Sequence, residues 1–537
     1  MFKKILNRTL NQANTISGGA MIIALFSILS RVIGLFRDRL LSSTFGAGEI
    51  LDSYYAAFRL PDFVFQTLIL GAFSSAFIPV FLNIYSKNKE KAWLLTNRIL
   101  NLLLAIVFFL SVLFFIVAPF IIPYIVPGFS LSAKELTIKF TRIMMIGTIF
   151  FTLSNVVGSV LKSFQRFLVY SLAPILYNIG IVIGVLFLTK TPLGILGLAW
   201  GVVLGAVLHF LIQLPIFLKT GFKWKPIFKF TKSIKRIISL MVPRCIGLAA
   251  NQMNFIVVTF MASILTIGAV AVYNLAFNLV HIPISLFGIS LAVAIFPMLS
   301  RSFSLGDIKR FSHYFSKTVR VIIFITVPVS VIFIALRAQI VRIILGAGLF
   351  TWEDTVLTAT MLGWFSFSII ARSLIPIFAR GFYACQNTKT PVIIAVISFV
   401  LNIVACIILG LTMGVGGLAL AFAIASIVNI LLLYIYFNKK IAKLYHKEII
   451  YTLVVSGIIT GVMIMFLQVV KMTVANFVNM QTFLGVFLQG ALAGSLSLAF
   501  YLALGLIFNI KEAYIFYNII FKKIKKLIKP FKVWQKK

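Results

Sequence analysis

Fourteen apolar runs succeed one another along this chain, at 19–40, 52–84, 99–124, 140–161, 168–188, 194–218, 237–264, 269–300, 321–346, 355–379, 390–411, 414–437, 449–470 and 483–509. Each is long enough to cross a bilayer as a helix, which takes roughly 20 apolar residues. Backbone polar groups in lipid must be satisfied within a helix or a closed barrel, and the alternating ten-residue strands of a barrel are absent. With 61% hydrophobic and only 11% charged residues, the chain reads as an all-α polytopic membrane protein of about fourteen spans. The first run follows Lys3, Lys4 and Arg8 without a small-residue cleavage site, so it reads as a retained span.

The formal net charge of +38 raises nucleic acid as a partner, because blocks such as Lys522, Lys523, Lys525 and Lys526 are dense enough to contact phosphates. The sidedness of the charge argues otherwise. With the N-terminus inside, the even-to-odd connections and both tails hold most of the 49 Lys and Arg residues, and the outside loops hold only Lys134, Lys139, Lys190 and Lys471. Positive-inside topology therefore accounts for the charge, with both termini cytoplasmic and no nucleic acid needed. The tail after Lys511 interleaves Phe516, Tyr517, Ile519, Ile520 and Phe521 with lysines, as expected of a helix lying on anionic phospholipid. Cys245, Cys385 and Cys406 stand singly, and the four histidines form no metal constellation, so neither a metal nor another cofactor is expected.

An internal repeat organises the spans. Ala57-Phe58-Arg59-Leu60 followed by Ile78-Pro79 recurs as Ala276-Phe277-Asn278-Leu279 followed by Phe296-Pro297, and the Gly194–Ala199 stretch recurs from Gly414, all at an offset of about 220 residues. Each element thus meets its counterpart six helices later, which predicts two parallel six-helix repeats with a substrate site between them. The expected organisation is a basic cytoplasmic segment (1–18), an N-lobe of six spans (19–218), a basic cytoplasmic loop (219–236), a C-lobe of six spans (237–437), two extra spans (449–509) and a basic amphipathic tail (510–537).

Charges at the wrong depth point to the function. Arg31, Arg59 and Arg372 fall well inside spans, where each costs on the order of 2.5–3.5 kcal/mol if it faces lipid. Pairing with Asp38, Asp52 and Asp62 is the plain structural alternative, and the seven-residue spacings Arg31–Asp38 and Asp52–Arg59 favour shared helix faces. The arginines nevertheless outnumber the acids. Guanidinium groups keep their charge and grip two oxygens at once, so a hydrated cavity that receives a phosphate or carboxylate is expected. Pro61, Pro79, Pro283 and Pro297 interrupt the second and eighth spans, where they bend helices.

The stretches SRVIGLFRD at 30–38, FGAG at 45–48, AFRLPD at 57–62 and GAFSSAFIPVF at 71–81, with LKSFQRF at 161–167, LAPILYN at 172–178 and GFYACQNTKTP at 381–391, resemble the MurJ (MviN) family of lipid II flippases. These belong to the multidrug/oligosaccharidyl-lipid/polysaccharide (MOP) exporter superfamily. The resemblance implies a transporter and not an enzyme. It would move the undecaprenyl-diphosphate-linked peptidoglycan precursor from the cytoplasmic to the outer leaflet of a bacterial inner membrane by alternating access, in cell-wall biosynthesis. It also implies that Arg31, Arg37, Asp52 and Arg59 are the charges of a cationic substrate cavity. It further implies coupling to membrane potential or a cation, and cell-wall synthesis proteins as partners. The sequence departs from the family where relatives carry a basic pair, here Phe65-Gln66, an acid, here Leu70, and an eighth-span arginine, here Asn278. Arg244 and Arg372 are the candidates to supply the missing charge, with Asp38 and Asn278 as further cavity residues.

Two rival functions fit less well. An exporter of another lipid-linked oligosaccharide, of the O-antigen type, shares the anionic headgroup. A membrane transferase using polyprenyl phosphate would want a general base or an acidic metal cluster, which the 11 Asp and Glu residues do not supply.

Overall fold

A computed structural model describes residues 16–70 and 73–518 and shows, among them, helices joined by short connections and no strand. Eleven helices are long and apolar enough to cross a membrane, and the bent pair Trp352–Ser366 and Ser368–Ala384 makes a twelfth. These coincide with the third to fourteenth predicted spans. The first two predicted spans differ for a physical reason. The helix Ile16–Phe45 carries Arg31, Arg37, Asp38 and Arg39, and the second span is broken into Glu49–Ala57, Arg59–Val64, a π-helical segment Phe65–Leu70 and Phe73–Lys87. Charge and irregular backbone are concentrated in the same place, and irregular backbone at membrane depth is tolerated only where protein or a wet cavity covers it.

The repeat is written into local geometry. The π-helical segments Phe65–Leu70 and Ile284–Ile289 recur at an offset of about 220 residues, each a few residues beyond a proline. Asn88 and Asp307 both cap a helix by accepting a backbone N–H three residues on, from Lys91 at 2.8 Å and Arg310 at 2.9 Å. Gln165 and Gln386 both take φ 58°. The residue after each closes the helix end with a 2.9 Å bond, Arg166 N–H to the Leu161 carbonyl and Asn387 N–H to that of Phe382. These local features share the offset of the sequence motifs.

The chain divides into two compact units. The first comprises Met1–Leu275, Ile344–Asp354 and Phe399–Leu418, and the second Ala276–Ile343, Thr355–Ser398 and Ala419–Lys537. In the first unit Gly184 and Gly201 let two helices meet backbone to backbone, since a Cβ on Gly184 would lie 2.6 Å from the Gly201 Cα. Its core is an aromatic ladder, Phe73, Phe77, Phe81 and Tyr85, with successive centroids 4.9, 5.3 and 5.5 Å apart on one helical face. The second unit centres on Phe311, Phe315, Phe378, Phe382 and Phe437, and its helices His446–Phe477 and Phe483–Ile507 leave most of their apolar surface exposed, as lipid-facing spans do.

Candidate substrate site and closed face

The first unit holds Arg31, Arg37 and Asp38 on the continuous helix Ile16–Phe45 and Asp52 and Arg59 on the broken second span. Arg37 pairs with the adjacent Asp38, Nη2 to Oδ1 at 2.7 Å, and donates from Nη1 to Asn178 Oδ1 at 2.9 Å. Asn178 is itself held by donating to the Pro174 carbonyl at 3.0 Å. Arg31, one and a half turns earlier on the same helix, is half-buried and has no hydrogen-bond or ion-pair partner among the described residues.

Arg59 is buried, with 7% of its surface exposed. Its Nε donates to Thr259 Oγ1 at 2.7 Å, its Nη2 donates to Asn274 Oδ1 at 2.9 Å, and its guanidinium carbon lies 5.5 Å from the Phe255 ring centre. These three partners are neutral and orient the fork; the Asp62 carboxylate acts on Arg59 through space, with no hydrogen bond or ion pair between them. The expected pairings of Arg31 with Asp38 and of Arg59 with Asp52 do not form. Phe58 ends one helix and starts the next, so residues 52 and 59 no longer share a continuous face, and both carboxylates are engaged elsewhere.

Asp52 is engaged with backbone. Its Oδ2 accepts the Gly268 N–H at 2.6 Å and its Oδ1 accepts the Ala271 N–H at 2.8 Å, at the start of the helix Ala269–Pro283. A carboxylate there satisfies orphan amides and opposes the positive end of the helix dipole. Neighbouring connections close the same face. The Leu349 N–H donates to the Ser43 carbonyl at 2.8 Å, Ser42 Oγ donates to the Leu345 carbonyl at 3.0 Å, and the Ala47 N–H donates to Asp354 Oδ2 at 3.3 Å. Glycine is required at Gly268 and Gly348, with φ of 83° and 55°, because a Cβ on either would collide with the carbonyl of Ala47 or Ser43. A cavity of about 170 Å³ beside Asp52 is lined by Glu49, Ser130 and Ser263. The odd-to-even connections of this unit thus form a shut face, latched by Asp52.

The other candidates lie elsewhere. Arg372 belongs to the second unit, where its guanidinium sits 4.7 Å from the Phe422 ring centre and 5.7 Å from that of Phe277, beside Asn278. The side chain of Arg244 lies outside the described residues, as does the tail beyond 518. Phe65 and Gln66 open the first π-helical segment, and the Phe65 ring packs 4.9 Å from Phe151, so an apolar contact stands where relatives carry charge. Among the described residues no group of three or more His, Cys, Asp or Glu side chains is placed to hold a metal ion. Reading the sequence missed Asn178, Thr259 and Asn274. Their only signal is an amide or hydroxyl inside an apolar run, which arises equally from ordinary helix packing.

Eleven to twelve long apolar helices among the described residues, with Arg59 buried where the second predicted span is broken, define a polytopic helical membrane protein. Its fold is similar to that of an inward-facing multidrug resistance MATE family transporter of the MOP superfamily, with TM-score 0.64 and 16% identity over 78% of this chain and 98% of that one. A solved lipid II flippase MurJ in an inward closed conformation matches with TM-score 0.75 and 26% identity over 90% of this chain and 98% of that one. Residues 41–488 match the family described as lipid II flippase MurJ. A probable lipid II flippase MurJ of Buchnera aphidicola subsp. Baizongia pistaciae is 30% identical over 77% of this chain and 81% of its own, and one of Vibrio cholerae is 29% identical over 77% and 81%. The chain belongs to the MurJ family of lipid II flippases. It is a multi-pass membrane transporter and not an enzyme.

Proposed function

We propose that this protein flips lipid II from the cytoplasmic to the outer leaflet of the bacterial inner membrane by alternating access. The observation that carries this reading is Arg59, buried, hydrogen-bonded only to neutral acceptors and in no ion pair among the described residues. A guanidinium oriented in this way, with Asp62 acting on it only through space, is suited to a diphosphate. Arg31, without a hydrogen-bond or ion-pair partner among the described residues, extends the positive field along the preceding helix, where Arg37 is paired with Asp38.

Both termini are cytoplasmic in this reading, so the connections of the first unit joined through Asp52 lie on the outer side. Release requires the Asp52 bonds to Gly268 and Ala271 to break together with those from the Ser43 and Leu349 region. The π-helical segments and their prolines are where the second and eighth spans absorb that change. No resident cofactor is invoked. A diphosphate carries negative charge toward the positive outer side, so an inside-negative membrane potential favours export by about 2.3 kcal/mol per elementary charge per 100 mV. The basic tail rests on anionic phospholipid of the inner leaflet.

Depletion of the protein from its own cells tests the reading. Lipid II is expected to accumulate in the cytoplasmic leaflet, shielded from externally added enzymes that cleave it. Accumulation in the outer leaflet, or of a different lipid-linked sugar, counts against it.

A further inference from the structure

The connection 219–236 carries six lysines and Arg236. Topology explains why they are cytoplasmic but not why this irregular backbone is held in a fixed shape. Two buried asparagines one turn apart on the helix Lys89–Ile125 hold it. Asn97 donates from Nδ2 to the Lys223 carbonyl at 2.9 Å and accepts the Lys225 N–H at 2.7 Å. Asn101 donates to the Lys225 carbonyl at 2.8 Å and accepts from Trp224 Nε1 at 3.1 Å. Phe222 points inward, its ring packing 4.6 Å from Phe217 and 5.8 Å from Trp93, and Ile234 is buried in the same core. With its backbone pinned, the strand turns its lysines and three aromatic rings outward: Trp224 is 62% exposed, Phe228 69% and Phe230 62%.

We propose that 219–236 is a preorganised docking face for an anionic bilayer surface, with Asn97 and Asn101 as its positioning residues. A bilayer fits better than a protein partner for two reasons. The segment joins two spans and so is confined to headgroup level, where exposed Trp and Phe beside Lys are the residues that partition. It also presents exposed aromatic rings interleaved with exposed lysines. The choice of the inner leaflet rests on the orientation proposed above, whereas the preference for anionic lipid does not.

The test uses the full-length protein in nanodiscs of phosphatidylcholine with or without phosphatidylglycerol, and reads the emission of Trp224 as the difference between wild type and W224F. With phosphatidylglycerol, Trp224 should be quenched by headgroup-labelled lipid and shielded from aqueous acrylamide, an effect reversed by high salt. Neutralising lysines to Gln should weaken the shielding by about fivefold per charge. The N97A/N101A variant should lose it while its melting temperature stays within a few degrees of wild type. If that variant fails to fold, the Lys→Gln series, which leaves the asparagine strap intact, carries the test. Equal quenching in both lipids, or acrylamide access unchanged by phosphatidylglycerol, overturns the proposal. So does shielding by a soluble acidic peptide in place of lipid. None of these readouts depends on flipping activity.

Discussion

Arg59 in the first unit and Arg320 in the second are equally buried, each 7% exposed, yet their surroundings are opposite. Arg59 is held by a hydroxyl, an amide oxygen and a ring. Arg320 forms an ion pair with Glu448, and its Nε lies 3.2 Å from the buried Glu512 Oε1. Arg59 is hydrogen-bonded to neutral acceptors and meets the Asp62 carboxylate only through space, whereas Arg320 is in direct contact with two carboxylates. The first arrangement keeps a cation available to a visitor. The second ties the helix Ile308–Ala335 to the start of His446–Phe477 and to the tail at 511–518. Burial alone therefore does not identify a functional arginine, and the charge of its partners does.

That contrast can be broken in several ways. The largest expected effect is on binding: Arg59→Gln should weaken binding of a soluble diphosphate analogue of the headgroup by at least about 100-fold, while Arg59→Lys, which keeps charge but loses the fork, should fall between. Titration of purified protein checks this, and undiminished binding to the Gln variant would remove Arg59 from the site. Next, Arg320→Ala leaves two carboxylates behind, one of them buried, and should destabilise the protein by about 3–5 kcal/mol. The charge-free combination R320M/E448Q/E512Q should recover most of that loss, as read by thermal unfolding in detergent. A failure to recover would mean that Arg320 does more than hold helices together. Asp52→Asn should weaken the latch by about 1 kcal/mol, raising the fraction open on its face roughly fivefold. Spin labels at Ser43 and Leu349 should then report a longer distance. Smallest, Thr259→Val removes one of the two hydrogen bonds on Arg59 and should cost about 1 kcal/mol of stability with the charge intact. A loss of binding as deep as that of Arg59→Gln would show that orientation matters more than charge.

Much of the fold was legible because lipid imposes simple rules. Twelve of the predicted spans coincide with long apolar helices, and the repeat seen in Ala57–Leu60 and Ala276–Leu279 reappears in the paired π-helical segments. The first two spans were harder, since the charges that mark the site are the same residues that spoil an apolar window. Among site residues, Arg31, Arg59 and Arg372 stood out because a cation is conspicuous inside an apolar run, and Arg37 through the family resemblance. Their partners did not. Asn178 and Asn274 are single amides in apolar helices, and Asp52 suggested a salt bridge when its carboxylate in fact accepts two backbone amides from a helix more than 200 residues away. Arg320 was hidden by its position, because at the edge of a basic connection it counts as a topology charge until the helix turns it inward.

Flipping itself tests the central claim most directly. In proteoliposomes holding fluorescent lipid II in one leaflet, wild type and R320M/E448Q/E512Q should transfer lipid II at the same rate, and Arg59→Gln should fall to the protein-free baseline while remaining folded. Transfer at the wild-type rate by Arg59→Gln, or loss of transfer in the folded charge-free variant, would contradict the assignment of the arginine outside any ion pair as the one that receives the substrate.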